Sequence, residues 1–190
     1  MTRDVTKAAI LAAAAEVFAR QGYDGASIAE ITTEAKLSSG PVYGQFGSKA
    51  ELFAATLEAH SDRELDEFLG TTSARDVPSV LAALGANLIR PQPERRSLLV
   101  EAVVASRRDP TVAALMSDIF ARRRLRLAKM VEQGQADGDI ETLVSPQALA
   151  RFSVILGLGA LLMSALDQGD VDEAEWEHLI GTVVDGLRPR

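Results

Sequence analysis

The chain has 190 residues, of which 47% are apolar and 25% charged, and a net charge of −7. This apolar content can fill a hydrophobic core without covalent cross-links. The sequence contains no cysteine, which excludes disulfides and thiolate zinc sites and fits the reducing cytoplasm. Its two histidines, His60 and His178, lie far apart, and neither metal-ligand spacing nor a glycine-rich phosphate loop occurs. We therefore expect a cytoplasmic protein that is not an enzyme and needs no metal or cofactor.

Three helices are predicted in the first fifty residues from their start and stop signals. Helix 1 covers about residues 6–21 and stops at Gly22, which adopts a left-handed conformation at low cost. Ser27 and Glu30 match a capping box that opens helix 2. Ser38 can cap a short third helix, and the short turn before that helix has the length typical of a helix-turn-helix motif.

Six further helices are predicted downstream, so the expected fold class is all-α with about nine helices. Ser48 and Glu51 repeat the capping box at the start of helix 4. Asp109 and Ser145 are each followed by proline, an arrangement typical of an N-cap before a helix. No stretch alternates polar and apolar residues as a strand would. The predicted helices 4 to 9 cover about residues 49–70, 78–89, 94–107, 110–137, 146–168 and 173–187.

The N-terminal region resembles the TetR family of transcriptional regulators. The match covers residues 6–55 and is specific, because many fixed spacings agree at once, while later segments are similar to the family's looser C-terminal domain. The resemblance implies a helix-turn-helix DNA-binding domain over residues 1–47 and an effector-binding and dimerisation domain over residues 48–190. The residues that carry it are Ile10, Ala14, Phe18, Gly22, Tyr23, Ser27, Ile28, Ile31, Ala35, Leu37, Ser38, Gly40, Val42, Tyr43, Phe46, Ser48, Lys49 and Leu52.

The resemblance also implies which residues contact DNA. Gln45 is the strongest candidate for reading a base, because an amide can bind a base edge through two hydrogen bonds. A purely structural role remains the alternative for the serines, as helix caps, and for the tyrosine, as a surface residue. Base-edge contacts are implied for Ser39, Gly40, Pro41 and Gln45, phosphate contacts for Ser27, Tyr43 and Lys49, and Ser38 completes the predicted DNA-binding set.

The residue pattern of helix 3 supports DNA binding independently of the resemblance. Val42 and Phe46, four residues apart, form a packing side and leave small and polar residues to face a major groove. Two features depart from the family. Lys36 stands where glycine is usual, and a left-handed conformation there would cost about 1 kcal/mol. Gly44 lies inside the helix, where glycine is less favourable than alanine by about 0.8–1 kcal/mol. Residues 1–50 carry five basic and five acidic side chains, so charge neither supports nor excludes DNA binding.

Helix 8 is predicted to be a buried helix with one face of small residues. Residues 152–166 are uncharged but would span only about 23 Å as a helix, whereas a bilayer requires about 30 Å. A stripe of small side chains permits close helix packing, and the resemblance implies that helices 8 and 9 pair with their copies in a four-helix dimer interface. A tight contact inside one subunit is the alternative. The small residues are Ser153, Gly157, Ala160 and Ser164.

Polar residues that interrupt apolar stripes are the candidates for an effector pocket. Three explanations stay open for them. In the first, the charges pair inside the protein, His60 with Glu64 and Arg123 with Glu101 or another acid. In the second, they line a pocket for an amphipathic or anionic small molecule. In the third, the arginine run reaches solvent. The candidate pocket residues are His60, Glu64, Phe68, Glu101, Met116, Phe120 and Arg123.

The predicted function follows from the resemblance and the patterns together. We expect a homodimeric repressor that binds a palindromic double-stranded DNA operator and is released by a small-molecule effector, with no membrane partner. The alternative is a helical ligand-binding or scaffold protein whose DNA module has lost its function, an alternative that Gly44 and the neutral charge of residues 1–50 favour.

Overall fold

The computed structural model describes the backbone of residues 3–70, 76–90, 93–166 and 171–189, and their side chains except at 3–4, 39, 41, 60–70, 93–97 and 165. This part of the chain is all-α and contains no strand, which confirms the predicted fold class. Its helices are α1 (Arg3–Gly25), α2 (Ile28–Glu34), α3 (Ser39–Gln45), α4 (Lys49–Gly70), α5 (Val77–Ala86), the 3₁₀ helix Asn87–Ile89, α6 (Pro93–Ser106), α7 (Pro110–Ala136), α8 (Pro146–Ala165) and α9 (Glu173–Asp185).

Most helices begin at the predicted caps. The side chains of Ser27, Ser145 and Asp172 each accept a hydrogen bond from the backbone N–H three residues later. Ser38 occupies the N-cap position of α3, as predicted, but its side chain makes no cap hydrogen bond. The regular helix 1 is interrupted at Gly22, where its end was predicted: φ there is 73° and ψ is 173°, and a further turn continues to Gly25.

The chain divides into two compact units. The first comprises Met1–Arg63 and Gln92–Ile119 and thus includes α1, α2, α3 and α6. In its core the fully buried rings of Phe18 and Phe53 meet edge to face, with centroids 4.8 Å apart. Compactness therefore groups α6 with the N-terminal helices, while the expected functional boundary after residue 47 stays a prediction.

The second unit comprises Glu64–Pro91 and Phe120–Arg190. Its helices α5 and α9 pack closely at Gly85, where an added Cβ would lie 2.7 Å from Cγ2 of Ile180. The indole Nε1–H of Trp176 donates to the carbonyl of Gly85 at 2.9 Å and fixes the same contact. The core around it contains the buried residues Leu81, Val131, Ile140, Ile180 and Val184.

Helix α8 is more exposed than its composition predicts. In the part of the chain that the structure describes, Pro146–Ser164 is the one helix long and apolar enough to cross a membrane, a property that core helices of soluble proteins share. Only 11% of its most apolar window is buried inside the chain. The expectation of a buried helix is therefore wrong for the single chain, and the apolar surface of α8 needs another explanation.

Candidate nucleic-acid interface

The turn between α2 and α3 is closed by a Schellman motif. The N–H of Leu37 donates to the carbonyl of Thr32 at 3.0 Å, and the N–H of Lys36 donates to that of Thr33 at 3.1 Å. Lys36 has φ of 54°, in the left-handed region that glycine occupies more cheaply. The lysine therefore keeps the turn that a glycine would form, at a cost of about 1 kcal/mol.

Helix α3 has one buried and one exposed face. Val42 is fully buried, and Phe46, the C-cap residue of α3, is also buried. These two side chains fix the helix to the body of the unit. Tyr43 is 60% exposed, Gly40 and Gly44 are exposed, and Gln45 is half-buried. Within the described chain, an added Cβ at Gly40 or Gly44 would meet nothing within 4 Å. The helix therefore presents an unobstructed face of small and polar groups, as groove recognition requires.

Ser39 and Pro41 belong to α3 by their backbone, but their side chains lie outside the described residues. Ser38 is exposed, and its hydroxyl makes no cap hydrogen bond. The base contacts implied for this helix stay predictions.

Ser27 forms a complete capping box with Glu30 at the start of α2. Its hydroxyl accepts from the Glu30 N–H at 3.2 Å and donates to the Glu30 carboxylate at 2.7 Å, while its own N–H donates to that carboxylate at 3.0 Å. The hydroxyl of Ser27 and then the amide of Gln21 hold the pKa of Glu30 below its ordinary value. These bonds give Ser27 a structural role, and its phosphate contact stays a prediction.

The ammonium group of Lys49 closes the C-terminal end of α1. It donates to the carbonyl oxygens of Tyr23 at 2.8 Å, Ala26 at 3.1 Å and Asp24 at 3.4 Å. A lysine has three N–H donors, and carbonyls at a helix C-terminus have no helical partner of their own. Lys49 thus acts here as a C-terminal cap, and a phosphate contact from it, which stays a prediction, would compete with these bonds.

Sequence reasoning missed a group of residues that meet at this end of α1, here called the α1 C-terminal cluster: Gly22, Tyr23, Lys49, Glu101 and Asp109. The N–H of Tyr23 donates to Oε2 of Glu101 at 3.1 Å, and its phenol donates to Oδ2 of Asp109 at 2.9 Å. Nζ of Lys49 lies 4.6 Å from the centroid of the Tyr23 ring. The available signal was Glu101 itself, an acid within the apolar run of residues 98–105, but nothing in the sequence places α6 on α1.

Two members of the α1 C-terminal cluster, Tyr23 and Asp109, have shifted pKa values. Burial raises the pKa of Tyr23, and the hydrogen bond to Asp109 raises it further, because both disfavour the phenolate. The same hydrogen bond from Tyr23, followed by the backbone N–H of Thr111, lowers the pKa of Asp109. The phenol and the carboxylate therefore remain in their neutral and charged forms at neutral pH.

The candidate effector residues are distributed over both units. The side chains of His60, Glu64 and Phe68 lie outside the described residues. Glu101 and Met116 belong to the first unit, and Phe120 and Arg123 to the second. The hydrogen bond from the Tyr23 backbone gives Glu101 a partner inside the protein, as the pairing explanation requires, although that partner is not Arg123. The effector pocket stays a prediction.

Helices α8 and α9 expose apolar side chains at helical spacing. On α8 these are offset by about one residue from the predicted small-residue stripe, in which Ser153, Gly157 and Ala160 are half-buried and Ser164 is exposed. A Cβ at Gly157 would stand 3.7 Å from Leu88 of the same chain, so Gly157 faces its own subunit. The exposed apolar residues are Phe152, Ile155, Leu162, Met163 and Leu166 on α8, and Leu179 and Val183 on α9.

Among the residues whose side chains are described, no group of three or more histidine, aspartate or glutamate residues could hold a metal ion. The helical pair α2–α3, its tight turn and the exposed face of α3 define a helix-turn-helix module of the DNA-binding class.

Comparison with known proteins identifies the family. The model of bacterial regulatory proteins of the tetR family matches residues 10–56, and that of the BetI-type transcriptional repressor C-terminal domain matches residues 78–189, more than half of the chain. The chain therefore belongs to the TetR family of transcriptional regulators, and the predicted resemblance is confirmed.

Individual relatives span most of the chain. It is 27% identical over 156 residues to the HTH-type transcriptional regulator UidR of Escherichia coli K12, covering 82% of this chain and 80% of UidR. It is 28% identical over 176 residues to the DNA-binding transcriptional repressor TetR of Mycobacteroides abscessus, covering 90% of this chain and 92% of that repressor. The structure of Salmonella enterica GusR superposes with a TM-score of 0.76 at 26% identity, covering 96% of this chain and 94% of GusR.

Proposed function

We propose that this regulator is a repressor that binds a palindromic DNA operator as a homodimer through α3. The observation that carries the proposal is the division of α3 into a buried side, Val42 and Phe46, and an exposed side that includes Tyr43. A recognition helix needs this arrangement, because one face must be held rigidly while the other enters the major groove. Tyr43 and Gln45 are the side chains assigned to phosphate and base contact.

The exposed apolar surfaces of α8 and α9 support dimerisation. Apolar side chains such as Ile155 and Leu179 are exposed on both helices of the same unit. Large apolar side chains exposed on two helices are typical of an interaction site, and a twofold four-helix interface would bury them in two copies at once. The same twofold symmetry would present two α3 helices to two half-sites of a palindrome.

Repression and release by an effector complete the proposal. The C-terminal match is to a BetI-type transcriptional repressor, and the Mycobacteroides abscessus relative is named as a repressor, which favours repression over activation. A small molecule that binds better to the conformation off DNA would shift the population away from the operator. The regulator is expected to work in the cytoplasm.

The test is a selection of genomic fragments with the purified full-length protein, followed by binding measurements on the enriched duplex. We expect a palindromic site with half-sites one helical turn or a multiple apart, bound by one dimer with an affinity that falls as salt rises. A scrambled duplex of the same length and composition is the control. Failure to enrich any duplex, or equal binding to the scrambled control, would contradict the proposal.

A further inference from the structure

The break in α1 leaves one backbone donor without a helical partner. At Gly22 the chain takes φ of 73° and ψ of 173°, which interrupts the helical hydrogen bonds. Tyr23 follows directly and is buried, so its N–H needs a hydrogen-bond partner. The carboxylate of Glu101, on α6, accepts this N–H at 3.1 Å.

The fit between Gly22 and Glu101 is close. A Cβ added at Gly22 would lie 2.8 Å from Oε2 of Glu101, so a larger residue would displace the carboxylate. The backbone of α1 and the side chain of Glu101 thus occupy complementary space. This contact joins α6 to the helix that packs against both α2 and α3.

Two further bonds hold the same end of α1 from other elements. The phenol of Tyr23 donates to Asp109, which precedes α7, at 2.9 Å. Lys49, at the start of α4, donates to the carbonyl of Tyr23 at 2.8 Å. The single residue Tyr23 is therefore held through its N–H, its carbonyl and its side chain by three separate segments.

Building on the proposed operator binding, we propose that Glu101 is a positioning residue for DNA recognition, holding α1 and, through it, α2 and α3 in the orientation that binds the operator. This role replaces a place in the effector pocket. Glu101 itself contacts no DNA: it acts on the fraction of molecules whose DNA-binding helices are correctly oriented. If loss of the carboxylate reduces that fraction to about one tenth, the apparent affinity falls about tenfold, because apparent affinity scales with the competent population.

The experiment compares Glu101→Ala with Glu101→Gln on the operator selected with the wild type and without any effector. The amide oxygen of Gln can still accept the Tyr23 N–H, whereas alanine cannot. We expect Glu101→Ala to bind about tenfold more weakly with an unchanged salt dependence, since no phosphate contact is lost. Glu101→Gln should stay within about twofold of the wild type. Asp118→Ala, which removes an exposed carboxylate from α7, is the matched control and should bind as the wild type does.

Circular dichroism at the temperature of the binding assay shows whether each variant is folded, so that a fall in affinity is assigned to folded protein. Wild-type affinity in Glu101→Ala, or equal weakening in Glu101→Gln, would overturn the proposal. If the wild type itself bound no duplex, the proposed function would fail instead, so the two failures are distinct.

Two measurements do not depend on the alanine variant alone. Gly22→Ala should weaken operator binding in the wild-type background and weaken it less in the Glu101→Ala background, because the displaced carboxylate is then absent. Additive effects of the two substitutions would contradict the proposal. In the wild type, hydrogen exchange at the Tyr23 amide should slow further when operator DNA is bound. Unchanged or faster exchange would contradict it as well.

Discussion

The phenol of Tyr23 donates a hydrogen bond to Oδ2 of Asp109 at 2.9 Å, which joins the end of α1 to the residue that caps α7. The two residues are 86 positions apart, so this contact closes a long loop within the first unit. Asp109 also accepts the backbone N–H of Thr111 at 2.8 Å through its other oxygen. One carboxylate thus serves both as a helix cap and as the anchor of a distant side chain.

Tyr23→Phe tests this anchor. The substitution keeps the buried ring but removes the hydroxyl, so the free energy of unfolding should fall by about 1.5–3 kcal/mol, the usual net value of a hydrogen bond to a charged group. Urea denaturation at neutral pH measures the change. Tyr43→Phe is the matched control, because Tyr43 is exposed and its hydroxyl should contribute little to stability. Equal losses in the two variants would show that the Tyr23 hydroxyl has no special role.

Asp76→Asn tests a pH-dependent contribution in the second unit. The hydrogen bonds from Ser79 first, and Arg188 after them, lower the pKa of Asp76 from its ordinary value of 3.8. A lowered pKa means that the folded protein favours the charged form. Its stabilisation is therefore present above pH 3.8 and is lost as the pH falls through the folded-state pKa. We expect Asp76→Asn to be less stable than the wild type at neutral pH and to approach it in acid.

Urea denaturation of both proteins between neutral pH and about pH 3 checks this expectation. Asparagine also caps helices well, so the comparison isolates the charge. Asp185→Asn is the control, because Asp185 pairs with the same Arg188 but caps no helix. A stability difference for Asp76→Asn that did not narrow on acidification would contradict the assignment.

Gly85→Ala tests the close packing of α5 on α9. The added methyl carbon would lie 2.7 Å from Cγ2 of Ile180, so the Ile180 side chain or one of the two helices must shift, and we expect the free energy of unfolding to fall by about 1–3 kcal/mol. Gly181→Ala is the control on α9, where an added Cβ meets nothing within 4 Å and helix propensity favours alanine by about 1 kcal/mol. The melting temperatures should move in opposite directions. A stabilised Gly85→Ala variant would show that the two helices are less closely packed.

The helices were predictable from the sequence because their signals are local. Capping boxes and N-cap residues act within one turn, so Ser27, Ser145 and Asp172 mark helix starts that the structure confirms. The exposed and buried sides of α3 followed from the spacing of Val42 and Phe46 for the same reason. Gly22 likewise marks the break in α1, although no local signal predicted the turn that continues to Gly25.

The role of Glu101 could not be predicted, since its partner lies on another helix. An acid in an apolar helix indicates a buried partner, but the sequence does not say whether that partner is a side chain, a ligand or a backbone N–H. The apolar surface of α8 was missed for a similar reason. Apolar residues such as Phe152 and Ile155 fit a buried helix and an interface equally well, and only the packing of a single chain distinguishes them.

Ile155→Glu tests the proposed dimer. Ile155 is 59% exposed on α8, so the charge costs little in a single chain but would be buried without a partner in a twofold interface. We expect the variant to sediment as a folded monomer at concentrations where the wild type is a dimer. Leu143→Glu is the control, because Leu143 is 91% exposed in the segment between α7 and α8. Dissociation by both substitutions, or by neither, would contradict an interface on α8.

Gln45→Ala tests base recognition by α3. Gln45 lies in the last turn of α3 and is only half-buried. We expect the substitution to leave the fold intact, since alanine is a good helix former, and to remove an amide that can bind a base edge. We expect operator affinity to fall by about 1–3 kcal/mol and discrimination at one base pair of each half-site to be lost. The measurement is a competition assay over operators that carry every single-base substitution.

Tyr43→Phe provides the contrast on the same helix. A phosphate contact carries no sequence information, so its loss should weaken binding to all operator variants by a similar factor. Gln147→Ala, on exposed α8 surface, is the control for the loss of an amide side chain elsewhere. If Gln45→Ala weakened every operator variant equally, Gln45 would be a backbone-contacting residue, and base recognition would have to come from other positions near the start of α3.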